Sequence, residues 1–232
     1  MNAAKILAPL PLLLAVCLAA PGRAQELPRT MEPPPRRPPA EAPATAEPAD
    51  SLPPDEAACR RTLRDLGAAF AEAEPIDGPE GCSAAHPLTV SKLADDVVLT
   101  PEAVLTCTMA EAAARFVRDH AAPLVRKEFG ASLAGIEQAS AFVCRPRRGT
   151  QKLSEHAFAN ALDVSALRLD DGTRIEVRAH DAAREPRRTR LLAALRKAAC
   201  GPFATVLGPG SDADHADHFH FDMAKRRNPF CQ

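Results

Sequence analysis

The sequence lacks several features that would point to a common class of protein. Trp and Tyr are absent and aromatic residues make up only 4% of the 232 residues, so the core must rest on aliphatic side chains and Phe. The formal net charge is −1, which argues against broad binding to nucleic acid or to an acidic membrane surface. No C-x-x-C, H-E-x-x-H or G-x-S-x-G motif occurs, which disfavours thiolate zinc sites, helix-borne zinc proteases and the common serine hydrolases.

Residues 1–24 have the build of a secretory signal peptide. Lys5 gives a positive start, an apolar run follows from Ile6 to Ala20, and small residues precede a cut before Gln25. The run is short for a bilayer and is interrupted by prolines, so we prefer cleavage to an uncleaved anchor, or to a lipoprotein signal ending at Cys17. The sequence therefore predicts a periplasmic or secreted protein with no stable membrane span after cleavage.

Residues 25–54 are predicted to form a disordered, proline-rich tether. Prolines recur there with Ala, Glu and Arg between them and without an apolar period. Such a segment buries too little apolar surface to offset its ordering entropy. Residues 55–232 are enough for one core of ordinary size.

Within that domain, helices are expected first and mostly antiparallel strands later. This order predicts an α+β fold, a single domain whose N-terminal helices pack on a mainly antiparallel sheet. Thr100-Pro101-Glu102 is typical of a helix start, and Asp170-Asp171-Gly172 is typical of a hairpin turn. The predicted helices cover 55–74, 100–129 and 187–199, and the predicted strands cover 139–144, 164–169, 173–178, 203–207 and 218–223.

The cysteines predict a disulfide-bonded domain. Cleavage of the signal peptide removes Cys17 and leaves six cysteines, and an even number outside the cytoplasm is typical of three disulfides. The sequence does not determine their connectivity. Pairing of neighbours along the chain, our simplest expectation, joins 59 to 82, 107 to 144 and 200 to 231.

The histidines fall into two clusters that predict a metal site. If residues 218–222 form a strand, His218, His220 and Asp222 share one face and two Phe residues share the other. Three adjacent ionisable side chains on one face need a partner, and a metal ion is the simplest one. The cluster at 154–163 supplies His156 and Asp163 as further ligands. The remaining histidines have no such neighbours and are interpreted as surface or capping residues: His86, His120 and His180.

These clusters resemble known zinc peptidases. The run Ser154-x-His156-x-x-Ala159-x-Ala161-x-Asp163 is similar to the S-x-H-x-x-G-x-A-x-D signature of the D-alanyl-D-alanine metallopeptidases. Those enzymes share a superfamily with lysostaphin-type and hedgehog-type domains. The ending His215-x-x-His218-x-His220 is similar to the H-x-x-H-x-H of penicillin-insensitive murein endopeptidases in that superfamily.

A wider resemblance covers the chain from about Cys59 to Cys231. Over that length the cysteine pattern and four short blocks resemble the bacterial extensin-like C-terminal domain. The blocks are Cys144-Arg145, Ser154-Glu155-His156-Ala157, Val206-Leu207-Gly208-Pro209-Gly210 and His218-Phe219-His220-Phe221-Asp222.

The resemblance implies a Zn²⁺ ion held by His156, Asp163 and His220. Glu155 and Asp222 are candidates for orienting the ligand histidines. Two features depart from the metallopeptidases: the E-x-W-H ending of their dipeptidase branch is missing, since the chain has no Trp, and Ala159 stands where they have Gly. That turn must therefore tolerate a Cβ atom.

The resemblance also implies catalytic and substrate-binding residues. His218 is implied as a catalytic residue beside the metal, and His215 as a helper that stabilises the developing oxyanion. Asp217 stands three residues before His220 and is an alternative carboxylate base. Arg145 is implied as the residue that binds a substrate carboxylate.

The function expected from these residues is zinc-dependent hydrolysis of peptidoglycan peptides that carry D-amino acids. Both carboxypeptidase and endopeptidase cleavage fit the sequence. A non-catalytic module, whose zinc site is structural and whose groove binds peptidoglycan or a protein, is the alternative. A structural wall protein acting through its proline tail is a third reading, and the intact ligand set argues against it.

Overall fold

The computed structural model describes residues 52–232. The predicted signal peptide, and the predicted tether up to residue 51, lie outside the described residues. Within the described range, no helix combines the length and the apolar character that crossing a membrane requires.

The described chain alternates helices and strands rather than grouping them. The helices are α1 (Pro54–Asp65), α2 (Cys107–Phe116), α3 (Ala122–Phe129) and α4 (Pro186–Ala199). A π-helical turn, Val117–Ala121, joins α2 to α3. The strands are β1 (Ala69–Glu72), β2 (Ile76–Asp77), β3 (Ser83–Ala84), β4 (Leu88–Ala94), β5 (Val97–Leu105), β6 (Leu133–Ser140), β7 (Ala161–Leu169), β8 (Arg174–Glu176), β9 (Thr205–Leu207), β10 (Phe219–Asp222) and β11 (Phe230–Cys231).

Nine of the described strands form one sheet, in the order β1-β4-β5-β6-β7-β10-β9-β11 with β8 paired to β7. Most neighbours are antiparallel, while β5 pairs with β6 and β9 pairs with β11 in parallel. Strands β2 and β3 form a separate two-stranded sheet. The expectation of one mixed domain with a mainly antiparallel sheet is therefore confirmed.

The hydrophobic core lies between the sheet and helices α2, α3 and α4. Three phenylalanines are its aromatic centre: the Phe203 and Phe221 rings stack with centroids 4.6 Å apart, and Phe116 meets both edge-on. Such offset and edge-to-face pairs are the favoured arrangements of aromatic rings. With no Trp or Tyr, the core is completed by Leu, Val, Ile, Met and Ala side chains.

Two of the predicted helices have different bounds in the structure. The first ends at Asp65, and the chain turns at Gly67 into β1, so the prediction was wrong for residues 66–74, nearly half of its length. The second begins at Cys107 with Thr106 as its N-cap, where the Thr106 side chain accepts a hydrogen bond from the Met109 backbone. Thr100-Pro101 lies inside β5 with a cis peptide bond, so the capping pattern there was misleading.

The later elements agree better with the sequence. The hairpin around 170–172, the helix from 187 to 199 and the two closing strands are confirmed, with ends moved by a few residues. The strand predicted at 139–144 is displaced, because β6 covers Leu133–Ser140. The residues after β6 form a loop that contains Arg145, Arg147 and Arg148.

The three predicted disulfides are present, but two of the expected pairings were wrong. The bonds are Cys59–Cys107, Cys82–Cys144 and Cys200–Cys231. Cys59–Cys107 ties α1 to α2, and Cys82–Cys144 ties the β2–β3 region to the loop after β6. Three disulfides are consistent with an extracellular or periplasmic location.

Candidate metal centre

Adjacent strands β7 and β10 bring two of the predicted ligands together. The strands are antiparallel, and His220 lies directly opposite Asp163 in their register. Side chains alternate along a strand, so Phe219 and Phe221 enter the core while His220 and Asp222 line the groove on the other face. The alternation predicted from the sequence therefore describes this strand correctly.

The third predicted ligand stands on a short 3₁₀ helix just before β7. His156 lies in the helix Glu155–Phe158, which ends at Ala159 with φ 51° and ψ 28°. This left-handed conformation favours Gly, because a Cβ atom is strained there. Ala159 holds the turn while fully buried, and its carbonyl accepts a hydrogen bond from Thr106 N at 2.8 Å.

The ligand atoms of these three residues form a nearly equilateral triangle. His156 Nε2 lies 3.2 Å from His220 Nδ1 and 3.2 Å from Asp163 Oδ1, and the last two atoms are 2.9 Å apart. At usual zinc–ligand distances of about 2.0–2.1 Å, neighbouring ligands of a tetrahedral site lie about 3.3 Å apart. The spacing is therefore close to that of three protein ligands with a fourth position open.

Hydrogen bonds behind the ligands fix which nitrogen of each histidine faces this point. His156 Nδ1 donates to the Ala141 carbonyl at 2.5 Å, and His220 Nε2 donates to Asp222 Oδ2 at 3.1 Å. Each ring can then turn a lone pair toward Asp163. This is the arrangement in which metal-binding histidines are usually held, so the donor set and its supporting hydrogen bonds fit a zinc ion.

Without a metal, electrostatics in this cluster favour a charged pair. Burial disfavours the His220 imidazolium, but hydrogen bonds to Asp163 and Asp222 outweigh burial and raise its pKa to about 9. Burial also opposes ionisation of Asp163, yet its polar interactions with His156 and His220 hold its pKa well below its usual range. A metal ion would therefore replace a proton at His220 Nδ1.

His218 and Asp217 lie beside the triangle as a hydrogen-bonded pair. His218 Nδ1 donates to Asp217 Oδ1 at 2.9 Å, and His218 Nε2 lies 3.8 Å from Asp163 Oδ1. The Asp217 side chain is 86% exposed. It therefore lies behind His218, on the side away from the ligands, and is suited to orienting that ring.

His215 is held in a similar way by a residue that sequence reasoning missed. Its Nδ1 donates to Asp212 Oδ1 at 2.7 Å, and its ring centroid is 5.2 Å from His218 and 5.7 Å from His220. Asp212 also caps the short helix Ala213–His215 by accepting two backbone hydrogen bonds. The D-x-x-H spacing from 212 to 215, typical of an N-cap, is the signal that could have identified it.

The three predicted ligands, His215 and His218 line one groove of about 500 Å³ that also contains three arginines of the loop after β6. Arg147 pairs with Glu155 at 3.5 Å, and Arg148 pairs with Asp214 across the groove. Arg145 is exposed, and its guanidinium makes no hydrogen bond or ion pair with any residue in 52–232. Its donors remain available to an anionic ligand.

Other groove residues did not stand out in the sequence. Arg226 lines the groove, donates to Thr205 Oγ1 at 3.0 Å and lies over the Phe230 ring at 5.6 Å. Its contribution depends on the parallel pairing of β9 with β11, which no local pattern indicates. Asp222 was expected to orient a ligand histidine, and its hydrogen bond to His220 agrees with that expectation. Glu155 contacts Arg147 and Asn160 rather than a ligand histidine.

Of the histidines outside the clusters, His180 needs correction. Its side chain is fully buried, with Nδ1 2.7 Å from Glu185 Oε2 and Nε2 2.9 Å from the Glu176 carbonyl. It therefore ties the end of β8 to the start of α4. It is a buried structural residue rather than a surface residue.

Comparison with known proteins places this arrangement in a family. Neither a search of curated proteins nor a search of solved structures gives a significant match. A family model described as the extensin-like protein C-terminus matches residues 57–232. That range contains all three disulfides, the whole sheet and every residue of the candidate metal centre. Since the match spans far more than half of the chain, this protein belongs to the extensin-like C-terminal domain family.

Proposed function

We propose that this protein is a secreted, zinc-dependent hydrolase of peptidoglycan peptides, of the type of the D-alanyl-D-alanine metallopeptidases that its motifs resemble. The observation that carries the proposal is the triangle of two imidazole nitrogens and one carboxylate oxygen, with edges of 2.9–3.2 Å, that opens into a groove. Three lone pairs directed at one point repel one another unless a proton or a metal ion lies between them, and the triangle has the size that suits a metal ion.

His156, Asp163 and His220 would hold the zinc ion. Bound there, the ion would polarise the scissile carbonyl and lower the pKa of a water molecule to about 7. Asp222 and the Ala141 carbonyl keep the two ligand rings in the required tautomers. The protein thus supplies a rigid site, because the three ligand residues and the hydrogen bonds that support them are buried.

His218 is suited to move the proton. Because Asp217 accepts from Nδ1, the Nε2 atom of neutral His218 carries a lone pair on the side facing Asp163. That atom can accept the proton of the attacking water and later give it to the leaving amine. Because the Asp217 carboxylate already accepts the hydrogen bond from His218, it is better suited to orienting that ring than to acting as the base.

His215 and Arg145 provide positive charge along the same groove. His215, when protonated and held by Asp212, can donate to the oxyanion that develops on the substrate. Arg145 presents a guanidinium with no partner among residues 52–232, and a guanidinium binds a carboxylate through two parallel hydrogen bonds. A peptide with a free carboxylate is therefore a suitable substrate.

The compartment supports wall peptides as the substrate class. Disulfides persist in oxidising compartments such as the periplasm, where peptidoglycan is accessible. The resemblance to wall peptidases points the same way, as an argument from analogy.

The test joins metal content with turnover. Residues 25–232 are produced in an oxidising compartment, bound zinc is quantified, and cleavage of purified peptidoglycan peptides is followed by mass spectrometry. We expect one zinc per chain and a cleavage that a chelator abolishes. His220→Ala should lose both while retaining its disulfides and fold, and His86→Ala, at an exposed site away from the groove, should lose neither.

Each other outcome has a defined meaning. One zinc with peptide binding but no cleavage would support the non-catalytic binding module. Stoichiometric zinc in the His220→Ala variant would contradict the ligand assignment. A folded protein that takes up no zinc would overturn the proposal.

A further inference from the structure

A second pocket adjoins the groove at the metal centre. Arg147, Glu155 and Arg226 line both cavities. The second pocket is also lined by Lys152 and Lys225, which do not line the first. Arg145 lines only the first cavity. The structure therefore has a second cationic site that does not include Arg145 and lies next to the metal centre.

The charge of the second pocket is strongly positive. Its carboxylate, Glu155, is neutralised by Arg147 at 3.5 Å and accepts a hydrogen bond from Asn160 Nδ2 at 2.8 Å. Lys152 and Lys225 are exposed and have no carboxylate within ion-pair distance anywhere in residues 52–232. Two ammonium groups and the Arg226 guanidinium thus remain for a ligand.

The second pocket also has apolar lining, beside the polar side chains of Thr106, Thr108 and Asn160. Phe158 and Met223 are half-buried there, and Ala224 is buried. Apolar surface next to exposed ammonium groups fits a ligand that has hydrocarbon and carboxylate on one scaffold, because each part then meets a matching surface. A peptide segment with a side-chain carboxylate has this composition.

We propose that the second pocket binds a carboxylate-bearing segment of the substrate peptide through Lys152 and Lys225, in addition to the carboxylate held at Arg145. This inference rests on the proposed function, since it assigns the second pocket to the same substrate. It narrows the substrate class to peptides with at least two carboxylates, one for each cavity. Peptides with a single terminal carboxylate would use only the first cavity.

The experiment compares one peptide in two forms on three proteins. The peptide is a purified peptidoglycan peptide with a terminal and an internal carboxylate, and its partner form has the internal carboxylate converted to an amide. Binding is measured by calorimetry on chelator-treated protein, so that turnover does not interfere. The proteins are wild type, K152Q/K225Q, and K127Q/K197Q, a control that removes the same charge from exposed helix positions outside both cavities.

We expect amidation to raise the Kd about tenfold, equal to about 1.4 kcal/mol, for wild type and for the control. For K152Q/K225Q the two peptide forms should bind within about twofold of each other, since the group that distinguishes them has been removed. Retention of the full carboxylate preference by K152Q/K225Q would overturn the inference. So would a wild type that shows no preference or no binding.

A second measurement, cleavage of the same two peptides by the zinc-loaded forms of the three proteins, separates this inference from the proposed function. Lysine-dependent binding without any chelator-sensitive cleavage would contradict the hydrolase and leave the second site in place. Chelator-sensitive cleavage that substitution of both lysines leaves unchanged would support the hydrolase and contradict the second site.

Discussion

His220 is the group through which pH should control zinc binding. In the metal-free protein its pKa is raised to about 9, because hydrogen bonds to Asp163 and Asp222 outweigh the cost of burying the charge. Below that pH the Nδ1 atom carries a proton, and Nδ1 is the atom that faces the other two ligands. Zinc must displace this proton before it can bind.

The size of the effect follows from that pKa. Each pH unit below it should weaken the apparent zinc affinity about tenfold, so binding should tighten about 100-fold between pH 7 and pH 9 and then level off. At pH 7 about one proton should be released per zinc bound. Asp222→Asn removes one of the two carboxylates that raise the pKa of His220, so its affinity curve should level off at a lower pH.

Competition with a chelating dye between pH 6.5 and 9.5 measures the affinity. Calorimetry in two buffers of different protonation enthalpy counts the released protons. An affinity that stays constant from pH 7 to 9, or binding without proton release at pH 7, would refute the assignment of His220 Nδ1 as a ligand.

The stability of the zinc-free protein should change in the opposite direction. A raised histidine pKa stabilises the fold fully below its ordinary value of 6.5, and this stabilisation is lost as pH rises through about 9. The shift corresponds to on the order of 3 kcal/mol. The thermal midpoint of the chelated protein should therefore fall between pH 6.5 and 9, while the added stability from zinc grows over the same range.

Three further changes test the groove and its support. Asp217→Asn should lower kcat about tenfold at unchanged zinc content, a modest loss because the carboxylate is exposed; loss of zinc would contradict its orienting role. C82S/C144S should lower unfolding stability by about 4 kcal/mol, and should raise KM because the bond anchors the loop of groove arginines; an unchanged KM would contradict that anchoring. Gly208→Ala should cost about 1–3 kcal/mol in thermal unfolding, because a Cβ there would lie 2.5 Å from Phe219 Cδ1; a neutral effect would contradict this close approach.

The part of the candidate site that the sequence predicts is the part encoded by local periodicity. Alternation along 218–222 assigns Phe219 and Phe221 to the core and His220 to the groove without any knowledge of the neighbouring strands. The turn at 170–172 is equally local, and its hairpin is where the sequence indicated. Short-range signals of this kind depend only on residues that are near one another in the chain.

The features that were wrong or missed depend on long-range pairing. Cys59 bonds to Cys107 across 48 residues because α1 packs against α2, whereas neighbour pairing would have joined it to Cys82. The cap-like Thr100-Pro101-Glu102 lies in β5, where pairing with β4 and β6 outweighs the local helix signal. Tertiary contacts decide such positions, and the sequence near them does not report those contacts.

The same distinction explains the composition of the groove. His156 and Asp163 belong to one short segment, so their joint appearance could be recognised in the sequence. The second pocket is different, because Lys152 comes from the loop after β6 and Lys225 follows β10, and only the adjacency of β7 and β10 brings the two together. Neither lysine has a motif around it. Their positive charges can contribute to substrate binding only because the fold places them next to the metal centre. Substitution of both lysines therefore tests whether the fold forms a substrate site from residues that no sequence motif marks.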